Sequence, residues 1–134
     1  MEQDRRIDVG IALDGDLVTT GLDRPFLMIG NQSQRRADSP QWAAFYDNLS
    51  GPRLYLVIEG AAHADLSDIT LFKSTINLDV FGPGPIDGQR AMTIQRAYVT
   101  AWLDQAQFGR RSPAAEACLA QVPRGRVPAV SLTD

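Results

Sequence analysis

The sequence predicts an α/β fold, a small parallel sheet of three strands with flanking helices, and three observations carry that expectation. Short apolar runs recur at 7–13, 25–30 and 53–60, near-continuous rather than alternating, as in strands covered on both faces. Helical apolar spacing appears between the second and third runs and again later in the chain. Polar groups follow each run, at what would be the carboxyl edge of a parallel sheet, where such folds place their ligands.

Taken in order, IDVGIAL (7–13) is β-branched and apolar and reads as the first strand. It ends at Asp14, and Gly15 permits a sharp turn there. PFLMIG (25–30) is the second strand. A helix follows: Ser39 can cap it, Pro40 fits its first turn, and Gly51-Pro52 ends it. Trp42, Phe45, Tyr46 and Leu49 recur at helical spacing and read as plain core packing. RLYLVIEG (53–60) is the third strand. After His63, the stretch from Asp65 to Asp68 reads as a helix start, with one acidic residue as cap and another in the first turn. FGPGP (81–85) is a loop, and Asp87 opens the longest helix. On that helix Ala91, Ile94, Tyr98, Ala101, Trp102 and Gln105 share a side, and it stops before Gly109 and Pro113. The tail, 114–134, begins with a short helical look and turns irregular at Pro123 and Pro128. Strand and helix in this order imply right-handed crossovers.

The bulk numbers narrow the function classes. A chain of 134 residues makes one small domain or a piece of one, able to bury about two thirds of its unfolded surface. Hydrophobic content of 44% and charged content of 22% are those of a globular protein. A net charge of −3, with Arg5-Arg6, Arg35-Arg36 and Arg110-Arg111 as isolated pairs, gives no nucleic-acid footprint. One cysteine, Cys118, excludes an intrachain disulfide, and one histidine argues against a zinc site; no metal or cofactor is implied. No stretch is long and apolar enough to cross a bilayer, and MEQDRR is charged where a secretory signal would turn apolar. The sequence gives no compartment.

The lone histidine, His63, follows the third strand, and Asp14 ends the first. A carboxylate beside an imidazole fixes its tautomer and stabilises the imidazolium, which is two thirds of a nucleophilic triad. Asp38 and Asp16 are weaker candidates for the acid. The competing reading makes Asp14 a turn carboxylate and His63 a loop residue bonded to backbone, and spacing alone favours it. Ser67 and Asp68 read as a helix cap. No serine has the G-x-S-x-G setting of a nucleophile elbow: Ser33 in GNQSQ lacks the second glycine and the following helix, Ser50 ends a helix, and Cys118 lies in the tail. A phosphoacceptor domain built on Asp14 would want a lysine at a later strand end, but the only lysine, Lys73, falls in or just after the post-histidine helix.

Three stretches together, DVGIALDGDL, LDRPFLMIGNQSQ and SPQWAAFYDNLSGPRLYLVIEGAAHADLSDITLF, resemble the C-terminal half of α/β-hydrolases. The nearest group is the platelet-activating-factor acetylhydrolase-like esterases and lipases of bacterial type. The helix DGQRAMTIQRAYVTAWLDQAQFG and the closing VPRGRVPAVSL extend the similarity over nearly the whole chain. The resemblance implies the triad acid at Asp14 and the base at His63. Relatives that carry the acid after the next strand would nominate Asp38 instead, and the LDG setting favours Asp14. It further implies carboxylic-ester substrates, from short acyl or acetyl esters to lipids, and relatives that are often exported. The family's earlier strands, oxyanion loop and elbow have no counterpart in the sequence, and Met1 to Asp4 look like the end of a helix. Residues 1–134 are therefore expected to be the C-terminal part of one hydrolase domain, with acid and base but no nucleophile. The free edge of strand 7–13 would then be open to association with another chain. The alternative is a non-catalytic relic or complementing module with no turnover of its own.

Overall fold

The computed structural model describes residues 4–18, 21–73, 82, 84–109, 113 and 130–132. Of the helix end expected at Met1 to Asp4, residues 1–3 lie outside the described residues and Asp4 is not helical; Cys118 and most of the tail also lie outside them.

Four strands form one sheet in the order β1-β2-β3-β4: β1 (Gly10–Leu13), β2 (Phe26–Gly30), β3 (Arg53–Ile58) and β4 (Val130–Leu132). The first three are parallel, with Leu13 opposite Ile29 and Ile29 opposite Leu56. The fourth departs from the expected irregular tail. Val130–Leu132 pairs antiparallel to β3, with Ser131 opposite Val57. Three residues just after a proline carry too short a pattern to read as a strand, and only the open edge of β3 makes them one.

Helix α1 (Pro40–Asn48) links β2 to β3, and α2 (Gly88–Phe108) is the long helix. They cover opposite faces of the sheet. Phe26, Met28, Tyr55 and Val57 pack with Trp42, Phe45 and Leu49 of the α1 segment, together with Ala12, Leu17 and Leu22. Leu27, Ile29, Leu56 and Ile58 point the other way, onto Ala91 and Ile94 of α2 and onto Leu66 and Ile86. Successive strand residues alternate between two apolar layers, which is why the runs read as continuous. Phe26 and Phe45 meet edge to face at 5.1 Å, and Trp42 lies 5.7 Å from Tyr55.

Both helix starts fall where the sequence places them, with different chemistry. Ser39 occupies the cap position of α1 without a side-chain bond, leaving Pro40 to set the first turn. Asp87 caps α2 properly, its carboxylate accepting from Arg90 N at 2.9 Å. Gly109, at φ 63°, ends α2 in the left-handed region.

The helix expected after His63 does not form. Two 3₁₀ turns stand in its place, His63–Leu66 and Asp68–Leu71. The reason is Asp65. Its carboxylate turns inward to four donors instead of capping a helix, and the chain is held in a tight turn around it. Gly84 makes that turn possible from the other side, since a Cβ there would lie 2.1 Å from the Gly60 carbonyl oxygen.

Candidate active site

Three loops leave the carboxyl ends of β1, β2 and β3, and each delivers one member of a hydrogen-bonded chain. Asp14 ends β1 at φ 52°, the one described non-glycine residue in the left-handed region. Aspartate tolerates that conformation better than most residues. The sharp turn expected of Gly15 is therefore made by Asp14 itself, and it aims the carboxylate back over the rim. The Asp14 backbone N–H still donates to Ile29 O at 2.8 Å, so the turn starts from an intact ladder.

His63 opens the 3₁₀ turn beyond β3. Its Nδ1 lies 2.6 Å from Asp14 Oδ2. A carboxylate only accepts, so Nδ1 carries the hydrogen and neutral His63 presents Nε2 as an acceptor. The two partners differ sharply in exposure: 1% of the Asp14 side chain is accessible, against 78% of the His63 side chain. The structure thus joins a sheltered anion to an imidazole open to whatever approaches the rim. The carboxylate also fixes which ring nitrogen does the approaching.

Asn31, just past β2, completes the surroundings of Asp14. Its backbone N donates to Asp14 Oδ1 at 3.0 Å and its Nδ2 to Asp14 Oδ2 at 2.6 Å. The sequence offers Asn31 only as a polar residue at a strand end. Its adjacency to Asp14 follows from the pairing of β1 with β2. Tyr55 secures the next turn, its hydroxyl donating to the Gln34 carbonyl. Burial pushes that phenol up to about 12, so it remains a donor across the ordinary pH range.

The other candidates lie apart from the dyad. Asp38 is exposed in the turn before α1, where its N–H donates to Arg35 O at 2.8 Å; His63 meets Asp14 instead. Asp16 is exposed two residues past Asp14. Ser33 donates both its N–H (2.7 Å) and its hydroxyl (2.6 Å) to Asn31 Oδ1. That hydroxyl is engaged away from the imidazole. Ser50 bonds Leu22 O at the foot of α1, and Ser67 donates to Ala64 O at 2.8 Å.

Asp65 and Lys73 are the residues whose roles the sequence hid. Asp65 is fully buried. Its Oδ2 accepts from Ala62 N (3.0 Å) and Gly84 N (2.6 Å), and its Oδ1 from Lys73 Nζ (2.7 Å) and Thr70 Oγ1 (2.9 Å). Burial alone would raise this carboxyl, but the bonds from Ala62, Lys73, Gly84 and Thr70 together outweigh it and hold the group below the ordinary carboxylate value. Lys73 also donates to the Gly84 (3.2 Å) and Ile86 carbonyls. Gln95 of α2 reaches Asp65 O at 2.8 Å. The turn bearing His63 is thereby pinned to α2 and to the segment before it.

Among solved structures, a ferulic acid esterase from Streptomyces cinnamoneus is similar to this chain, with 26% identity and a TM-score of 0.77. The match covers 99% of this chain and 42% of that one, so the chain spans less than half of that esterase's length. No protein-family model and no curated protein matches. The chain has an α/β fold of the ester-hydrolase kind. Among the described residues no helix is long and apolar enough to cross a membrane.

Proposed function

We propose that this chain is the acid–base part of a serine carboxylic-ester hydrolase, with His63 as general base and acid and Asp14 orienting it. The observation that carries the reading is the 2.6 Å contact between His63 Nδ1 and Asp14, on an imidazole otherwise open to approach. The likeness to an esterase supports it. Neutral Nε2 takes the proton of a serine hydroxyl as its oxygen attacks the ester carbonyl, and the imidazolium that forms is stabilised by Asp14. Nε2 then returns that proton to the departing alcohol, and water repeats the cycle on the acyl-enzyme. The serine belongs to a further segment carrying the elbow, docked along the free edge of β1. Substrates are carboxylic esters of the acetyl or short-acyl, lipid, or ferulate type, a range to which the resemblance to the platelet-activating-factor acetylhydrolase-like group and the likeness to a ferulic acid esterase both point.

Co-expression with the polypeptide encoded immediately upstream tests this. A fluorophosphonate is expected to label a G-x-S-x-G serine of that polypeptide, and ester turnover should fall to background in the His63→Ala variant. Fluorophosphonate-sensitive hydrolysis by the purified chain alone, labelled at one of its own serines, would refute the division of roles. So would complemented activity that survives loss of the imidazole.

A further inference from the structure

We infer that Asn31 is a positioning residue that sets the proton on His63 by holding Asp14 in one orientation, with Ser33 setting the orientation of Asn31 in turn. The inference rests on the acid–base reading of the dyad, but its test does not use turnover.

Asp14 Oδ2 receives both His63 Nδ1 and Asn31 Nδ2, each at 2.6 Å, and Oδ1 receives the Asn31 backbone N–H at 3.0 Å. Two donors from one residue, one on each oxygen, fix both the plane and the tilt of the carboxylate. The backbone at φ 52°, anchored by the Asp14 N–H bond to Ile29 O, sets where the carboxylate starts, and the two Asn31 donors set which way it faces.

The amide of Asn31 could in principle present either end to Asp14. Ser33 removes the choice. Its N–H and its hydroxyl both converge on Asn31 Oδ1, at 2.7 and 2.6 Å. With the oxygen of the amide taken by donors, the NH₂ end must face the carboxylate, which accepts only. Asn31 is buried, so a reversed amide would set its NH₂ group against the Ser33 backbone N–H and its oxygen against the Asp14 carboxylate. The order of control runs Ser33, Asn31, Asp14, His63, and each step hands on an orientation. Its end product is a neutral imidazole with hydrogen on Nδ1 and a lone pair on Nε2. The serine weighed from the sequence as a nucleophile thus acquires a different task.

His63 is the only histidine, so its ring nitrogens give single, assignable signals in long-range ¹⁵N spectra of the uniformly labelled chain. At a pH where the ring is neutral, the native chain should show the Nδ1–H form in excess. Asn31→Ala should move the ratio of Nδ1–H to Nε2–H on the order of tenfold towards Nε2–H, the worth of one hydrogen bond to a charged group. Ser33→Ala, which keeps the backbone donor, should move it less and in the same direction, and Ser33→Thr should restore the native ratio. Circular dichroism identifies variants that keep the fold. A folded Asn31→Ala chain with the native ratio overturns the inference. Should that variant not fold, Ser33→Ala decides: a native ratio there overturns it equally. Loss of the tautomer preference in these variants, with no ester turnover by the native chain even when complemented by the elbow-bearing segment, would leave the inference standing and sink the proposed function.

Discussion

Asp14 and Asp65 are both buried carboxylates of the same rim, and their surroundings could hardly be less alike. Asp65 faces four donors, one of them a sheltered lysine, and is closed on every side. Asp14 faces a buried asparagine on one side and an imidazole exposed over 78% of its side-chain surface on the other. Asp65 fastens the turn; Asp14 holds the exposed imidazole carried on that turn, the group that the proposed function makes the base. Burial and hydrogen bonding do not tell a structural carboxylate from a chemical one. What separates them is whether the partner at the end of the chain can reach a solute.

The sharpest way to break this contrast is Asp14→Asn. Asparagine tolerates the left-handed conformation, so the fold should survive with a loss of about 1–2 kcal/mol from one mismatched donor. Ester turnover by the complemented enzyme should nonetheless drop roughly 10⁴-fold, the effect of an unfixed tautomer. Parallel urea unfolding and kinetic assays check both halves. An unfolded Asn variant would make Asp14 structural after all.

Asp65→Ala should do the reverse. It strands Lys73 and two backbone donors in the interior and is expected to remove about 3–5 kcal/mol of stability by equilibrium unfolding. Lys73→Met leaves Asp65 with three neutral donors and should cost less, about 1–3 kcal/mol. Equal costs would mean that the ion pair, rather than the full set of donors, holds the turn.

Acid sharpens the comparison further. The Asp65 carboxyl is held below its unfolded value of about 3.9, so between the two values the unfolded chain binds more protons than the native one. The stability it contributes is complete above that unfolded value and drains away as pH falls towards the native one. Unfolding midpoints followed from pH 6 down to 2 should show this decline, and Asp65→Asn should flatten it. The smallest effect is expected at Asp38, the other acid nominated from sequence. Asp38→Ala should change stability by no more than about 0.5 kcal/mol and leave turnover unaltered, since the residue is exposed.

The sequence made one of these carboxylates legible and disguised the other. Asp14 and His63 stand at the ends of apolar runs, and a parallel sheet brings such ends to one edge whatever the detail between them. The strands themselves were readable because both faces are covered, so their apolar runs are unbroken. Asp65 precedes an acidic, serine-containing stretch and looks like a helix cap, because a cap is a local device and local patterns are what a sequence displays. Its actual partners include Lys73 and Gly84, which only the folded chain brings to it. The same reason hid Asn31, whose significance depends on β1 lying beside β2, and Val130–Leu132, which is a strand only because β3 has an open side.

The left-handed turn at position 14 has a consequence for descent. Few residues sit comfortably there, and asparagine, a single nucleotide change away, is one of them. If the proposed role of Asp14 holds, a lineage could forfeit that chemistry at this codon while still producing a well-shaped polypeptide, the two forms differing by one oxygen exchanged for nitrogen.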